Sequence, residues 1–293
     1  MSAPLFPEDP VSPSPGPSHP DASAAPEGDL ASQVRILGDP SFSDGPGFSI
    51  TEPPPARPYP FWGWLDLLLF VVILVASMLG AAILVSGFNF GIVAAGYSQY
   101  SMSLAQVAVL LQLAGFGPAL FLLSRILRAR YSQGLRAAVQ LKPMRQVGLY
   151  AGIGLATAML VSALNIVFKL QDLDMPMNEL IKSDVDLFAI GIAAFTFGPL
   201  FEEIIFRGFL QPLFVKAIGP AAGILATSIL FALPHGAQYG WHWQLILIIT
   251  IAGLVFGVIR WRAESTTAST IAHATYNGLL LMGAVIQRLQ GNG

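Results

Sequence analysis

Glu202 and Glu203 are adjacent carboxylates in the run Gly198-Pro199-Leu200-Phe201-Glu202-Glu203, with Arg207 one helical turn further on. On a helix Glu203 and Arg207 share a face and are ordered correctly for an ion pair. Glu202 lies about 100° around the same helix, where no such partner stands. This asymmetry assigns Glu203–Arg207 to structural neutralisation and leaves Glu202 as the free carboxylate. Pro199 lacks a backbone donor and disturbs the turn before it, opening the helix just ahead of the carboxylates. Solvated charges at a membrane interface are the plainer reading, but Phe209-Leu210 and Leu213-Phe214 carry the apolar pattern past them.

Two imidazoles extend the set. Phe231 and His235 share a helical face, with Pro234 loosening the turn around the ring, and His273 and Asn277 recur at the same spacing. A lone histidine near a helix end is usually a hydrogen-bonded packing residue. A His and an Asn on one face can also join membrane helices by hydrogen bonds. His242, between Trp241 and Trp243, reads as interfacial, and His19 lies in the N-terminal region. Carboxylate, imidazoles and amide together suit hydrolysis: a base that activates water, and donors for the oxyanion that develops.

These side chains need elements that bring them to one depth. The 293-residue chain is 54% hydrophobic and 11% charged, too few charges for a soluble domain of this size. Its apolar residues gather into seven segments, about 62–86, 103–124, 147–169, 186–209, 220–238, 244–261 and 266–286. Each is about the length that crosses a hydrocarbon core as a helix. Trp62 and Trp64 flank the first segment as interfacial aromatics do. The last two segments form a tight antiparallel hairpin. At about 1.5 Å per residue, Glu202, His235 and His273 all fall in the inner-to-middle bilayer, where one pocket can hold them. Charged groups at such depth usually line a site. The fold class expected is all-α, a polytopic bundle of seven or eight transmembrane helices.

Residues 1–60 hold 15 of the 22 prolines and eight acidic residues against Arg35 and Arg57, and read as a disordered tail. The loop with Arg125, Arg128, Arg130, Arg136, Lys142 and Arg145 is expected in the cytoplasm. The loop with Asp172, Asp174, Glu179, Asp184 and Asp186 is expected outside. Counting from these loops puts the tail inside and the C-terminus outside. The net charge of −2, with no segment that gathers enough Lys and Arg to neutralise many phosphates, argues against a nucleic-acid partner, and with no cysteine there is no thiolate chemistry. A transporter of inverted repeats should show paired interrupted segments in its two halves; here only the second half is interrupted.

Three motifs now stand in order, each on its own segment: Glu202-Glu203-Ile-Ile-Phe-Arg207, Phe231-Ala-Leu-Pro-His235 and His273-Ala-Thr-Tyr-Asn277. They resemble the EExxxR, FxxxH and HxxxN motifs of the CAAX-protease and bacteriocin-processing family of intramembrane endopeptidases. The resemblance covers about residues 150–288. It implies a bacterial-type endopeptidase of the cytoplasmic membrane, with a membrane protein or peptide as substrate. Glu202 and His235 would activate water, His273 and Asn277 would bind the oxyanion, and Glu203, Arg207 and Phe231 would support the site. On this reading 61–146 forms N-terminal membrane helices with a basic loop, and 147–288 is the catalytic membrane domain. A non-catalytic scaffold or bacteriocin-immunity protein is the alternative, and a proton-coupled transporter would also use intramembrane Glu and His.

The cofactor question stays open at this stage. The zinc-protease helix motif HExxH is absent. Glu202, His235 and His273 could still supply three ligands to a divalent metal such as zinc, with one open position. Members of the resembled family are described both as metalloproteases and as glutamate-dependent, metal-free enzymes.

Overall fold

The computed structural model describes residues 58–170, 173 and 175–291; most of the expected Pro-rich tail lies outside them. The described residues are all-helical. Two long helices come first, α1 (Trp64–Ala94) and α2 (Leu104–Tyr131), followed by α3 (Val147–Val167). The stretch Asp184–Ile218 is four consecutive pieces: α4 (Asp184–Phe195), α5 (Phe197–Glu203), a π-helical segment Ile204–Leu210, and α6 (Gln211–Ile218). Next come α7 (Pro220–Ala232) with a 3₁₀ extension Leu233–Ala237, α8 (Trp243–Ala263) and α9 (Thr266–Gly291).

Among the described residues, six helical stretches are long and apolar enough to cross a membrane: α1, α2, α3, Asp184–Ile218, Pro220–Ala237 and α8. They account for six of the seven expected segments. The seventh, α9, is 26 residues long but polar in its first half. It tolerates this because it is wedged inside the bundle against α3, α8, α4 and α5. Three of its hydroxyls return to their own helix, Ser269 and Thr270 donating to the Thr266 carbonyl and Thr275 to that of Ile271, while the Thr266 hydroxyl donates to the Val139 carbonyl. Outer faces are apolar instead. Leu65, Val72, Ile83 and Leu84 of α1 are all more than half exposed, as lipid-facing side chains are.

Two cores flank the interior. One joins α1 and α2 to the π segment through Phe70, Leu123, Leu127, Ile204 and Phe209, with Val139 of the following loop. The other joins α3, α8 and α9 through Val161, Ile248, Phe256, Ala272 and Tyr276. Trp62 corrects an expectation. It is 2% exposed rather than interfacial, stacked on Phe209 at 5.1 Å, and its Nε1 donates to the Phe209 carbonyl. Trp64 is half exposed, its ring edge-on to Phe214. Tyr59 and Pro60, at the end of the expected tail, are already docked: the Tyr59 hydroxyl accepts from Arg260 and the Pro60 carbonyl from Lys216.

The helix break ahead of the carboxylates lies at Thr196 (φ −111°, ψ −90°). Pro199 explains its position, since the ring clashes with the carbonyl four residues back and has no donor to offer it. Gly198 permits the sharp turn, because a Cβ there would stand 2.8 Å from the Ala193 carbonyl.

Candidate active site

Glu203 and Arg207 are both fully buried on the π segment and the turn before it. Glu203 Oε1 lies 3.2 Å from Arg207 Nη1 and 3.1 Å from His273 Nδ1. Nη2 of Arg207 donates to the Gly253 carbonyl at 3.2 Å, and the guanidinium lies over the Phe231 ring at 4.0 Å. The expected ion pair is present, and it carries more than its own two charges. It holds one imidazole by a nitrogen and one aromatic ring by its face, through charge-assisted and cation–π contacts.

Glu202 faces elsewhere. It lines a cavity of about 340 Å³ together with Phe231, His235, His273 and Asn277, so all three motifs meet in one space. Glu203 and Arg207 stand behind its wall. His273 spans the two carboxylates: Nδ1 is on Glu203, while Nε2 lies 3.8 Å from Glu202 Oε2, beyond direct hydrogen bonding but within reach of a bridging water. An ionised carboxylate only accepts, so the Nδ1 of His273 carries a proton.

His235 sits on the 3₁₀ extension of α7. Its Nδ1 is 2.9 Å from the Phe231 carbonyl, which also only accepts, so Nδ1 bears a proton and Nε2 is left free of that bond. Asn277 Nδ2 donates to the Ala194 carbonyl at 2.7 Å. The helix break removes that carbonyl from the backbone ladder, and Asn277 thereby clamps α9 to the distorted end of α4. One of its two amide protons is committed to this bond.

Some of the cavity was not visible in the motifs. Phe256 of α8 stacks on His273 at 4.6 Å and 20°, fixing the plane of the ring. An aromatic residue in an otherwise apolar helix has no spacing that singles it out. Gln112, Tyr239 and Tyr276 add polar groups to the lining. His242 lies in the exposed turn before α8, as expected, and takes no part in the cavity.

The metal expectation meets a different geometry. Among the described residues no three His, Cys, Asp or Glu side chains are placed to share an ion, although Glu202, His235 and His273 line one cavity. Their present arrangement does not fit a three-ligand zinc site, and the metalloprotease reading has no support in it.

Residues 184–279 match the family model described as Type II CAAX prenyl endopeptidase Rce1-like. This is the segment that holds all three motifs, about a third of the 293-residue chain. The resemblance read from the motifs and the Rce1-like match therefore agree, and both concern a family of endopeptidases. Six apolar helices and this match make the chain an integral membrane protein. No curated protein and no solved structure matches the chain.

Proposed function

We propose that this protein is an intramembrane endopeptidase that hydrolyses a peptide bond in a membrane-associated protein or peptide, in the cytoplasmic membrane of a bacterium. One observation carries the reading. Of two neighbouring carboxylates, Glu203 is enclosed by Arg207 and His273, while Glu202 reaches the cavity that His235 also lines.

In this scheme water enters between Glu202 and the Nε2 of His235. As its oxygen bonds to the substrate carbonyl carbon, one of its protons passes to Glu202, with His235 able to share it. The carbonyl oxygen takes up the negative charge. It accepts hydrogen bonds from the Nε2–H of a protonated His273 and from the second amide proton of Asn277. The acquired proton then goes to the peptide nitrogen, the C–N bond breaks, and a carboxyl and an amine leave. Phe231 holds the geometry by packing against Arg207 and His235 and meeting His273 edge-on.

Apolar walls around the cavity favour a substrate presented from the bilayer. A prenylated C-terminus is one such substrate, but requires a lipidated partner. The direct test compares membrane proteomes of cells carrying the wild-type chain and Glu202→Gln. Peptides that accumulate uncut only in the variant identify substrates. Identical proteomes at equal protein levels would instead favour a scaffold or immunity role.

A further inference from the structure

Gln112 of α2 lines the Glu202 cavity, and the reaction scheme gives it no part. It is the single polar side chain between Gln106 and Ser124 in that helix. Gln106 is accounted for, since its side chain accepts from the Ser103 N–H and closes the helix start. Gln112 shares a face with Ala105, Ala108 and Val109. Ala105 is buried, Ala108 and Val109 also line the cavity, and α2 packs on α4. The amide therefore belongs to the inward face of α2 rather than the lipid-facing one.

Hydroxyls inside membrane helices find acceptors in their own backbone, as Thr157 does at Ile153 and Thr250 at Ile246. Gln112 has no such bond, nor one to any other described residue. It is half-buried, yet its amide atoms are not sealed off as the Oε2 of Glu203 is. A neutral amide at membrane depth with no protein partner is costly. An open cavity leaves it to whatever occupies that space.

Its depth is informative. The Ser103 hydroxyl donates to Asp186, which ties the start of α2 to that of α4. Counted from this tie at about 1.5 Å per residue, Gln112 and Ala194 both lie about 12–14 Å along their helices. Ala194 carries the carbonyl that holds Asn277. Gln112 thus stands at the level of the oxyanion donor, on the other helix that α4 packs against. A peptide drawn into the cavity loses the partners of its own N–H and C=O groups, and the walls at Ala108, Val109, Ile190 and Ala193 supply no side-chain ones. A glutamine amide offers what a peptide group needs, one donor and one acceptor.

We propose that Gln112 binds the substrate backbone next to the scissile bond, donating to a carbonyl and accepting from an N–H. This rests on the endopeptidase reading and extends the binding site to α2, outside residues 184–279 that match the family.

The probe is a synthetic peptide spanning the cut bond of the first protein found uncut in Glu202→Gln membranes. Gln112→Met keeps the length of the side chain and removes its polar atoms. It is expected to raise KM for that peptide about tenfold, roughly one hydrogen bond's worth, with kcat changed less than about twofold. The thermal midpoint should equal or exceed that of the wild type. A lower midpoint would make Gln112 a structural tie between helices and overturn the proposal, as would an unchanged KM. A fall confined to kcat would overturn the binding role as well. Esters replacing single backbone amides of the peptide locate the contact. The ester that raises KM in the wild type should add nothing in Gln112→Met. Equal ester penalties in both proteins at every position would exclude the backbone as the group bound. If no protein accumulates uncut in Glu202→Gln membranes, the endopeptidase reading itself fails, and the role of Gln112 with it.

Discussion

Removing the charge of Glu203 leaves the Arg207 guanidinium, 1% exposed, without its adjacent carboxylate, among the Gly253 carbonyl and the Phe231 and Phe256 rings. Glu203→Gln should therefore destabilise the protein by about 3–5 kcal/mol, the usual loss when one partner of a buried pair is removed. Glu202→Gln should leave the thermal midpoint close to wild type, because its side chain already borders a cavity. Equal losses in the two thermal melts would reject this division of roles. The pairing of Glu203 with Arg207 was legible in the sequence because i,i+4 geometry is local. The contact between Glu203 and His273 was not. It spans 70 residues of sequence and depends on how α9 crosses the π segment. Asn277 illustrates the same limit: its place on the His273 face was readable, whereas its bond to Ala194 needed the break at Thr196.

Helix crossings carry that precision. At Gly154 of α3 an added Cβ would lie 2.2 Å from the Ala272 carbonyl, next to His273 in the chain. Gly154→Ala must push α3 from α9, with an expected loss of about 1–3 kcal/mol and reduced cleavage as His273 shifts. Gly152, in the same helix, has open space around its Cβ position. Gly152→Ala should instead gain up to about 1 kcal/mol from helix propensity. Opposite signs in the two melts check the crossing; similar shifts would mean that α3 and α9 are not in contact there. Length and hydropathy located the helices well, and Pro199 placed the break. The π segment and the burial of Trp62 were hidden. A widened turn leaves no trace in hydropathy, and an aromatic at a membrane edge has the same composition whether it faces lipid or stacks on Phe209.

Across the whole molecule, charges sort onto two faces. On one, Arg130 and Tyr131 at the end of α2 hold the buried Asp66, and Lys142 meets Glu264. On the other, Ser103 at the start of α2 bonds Asp186, while Arg288 of α9 pairs with Asp184 and donates to the Ile181 and Lys182 carbonyls. The Glu202 cavity reaches toward this second face, where Met177, Leu180, Ile181 and Gln238 line it. If the Arg-rich loop is retained in the cytoplasm, the cavity is entered from outside. The chain has no cysteine, so single-cysteine variants give an unambiguous readout. In intact cells an impermeant thiol reagent should modify Ser183→Cys and Gln238→Cys and spare Ser132→Cys, and modification at position 238 should slow cleavage by obstructing the mouth. Labelling at Ser132 with protection at Ser183 would invert the protein in the membrane. The same cavity would then open to the cytoplasm, and the substrates sought by the proteomic comparison would be cytoplasmic ones.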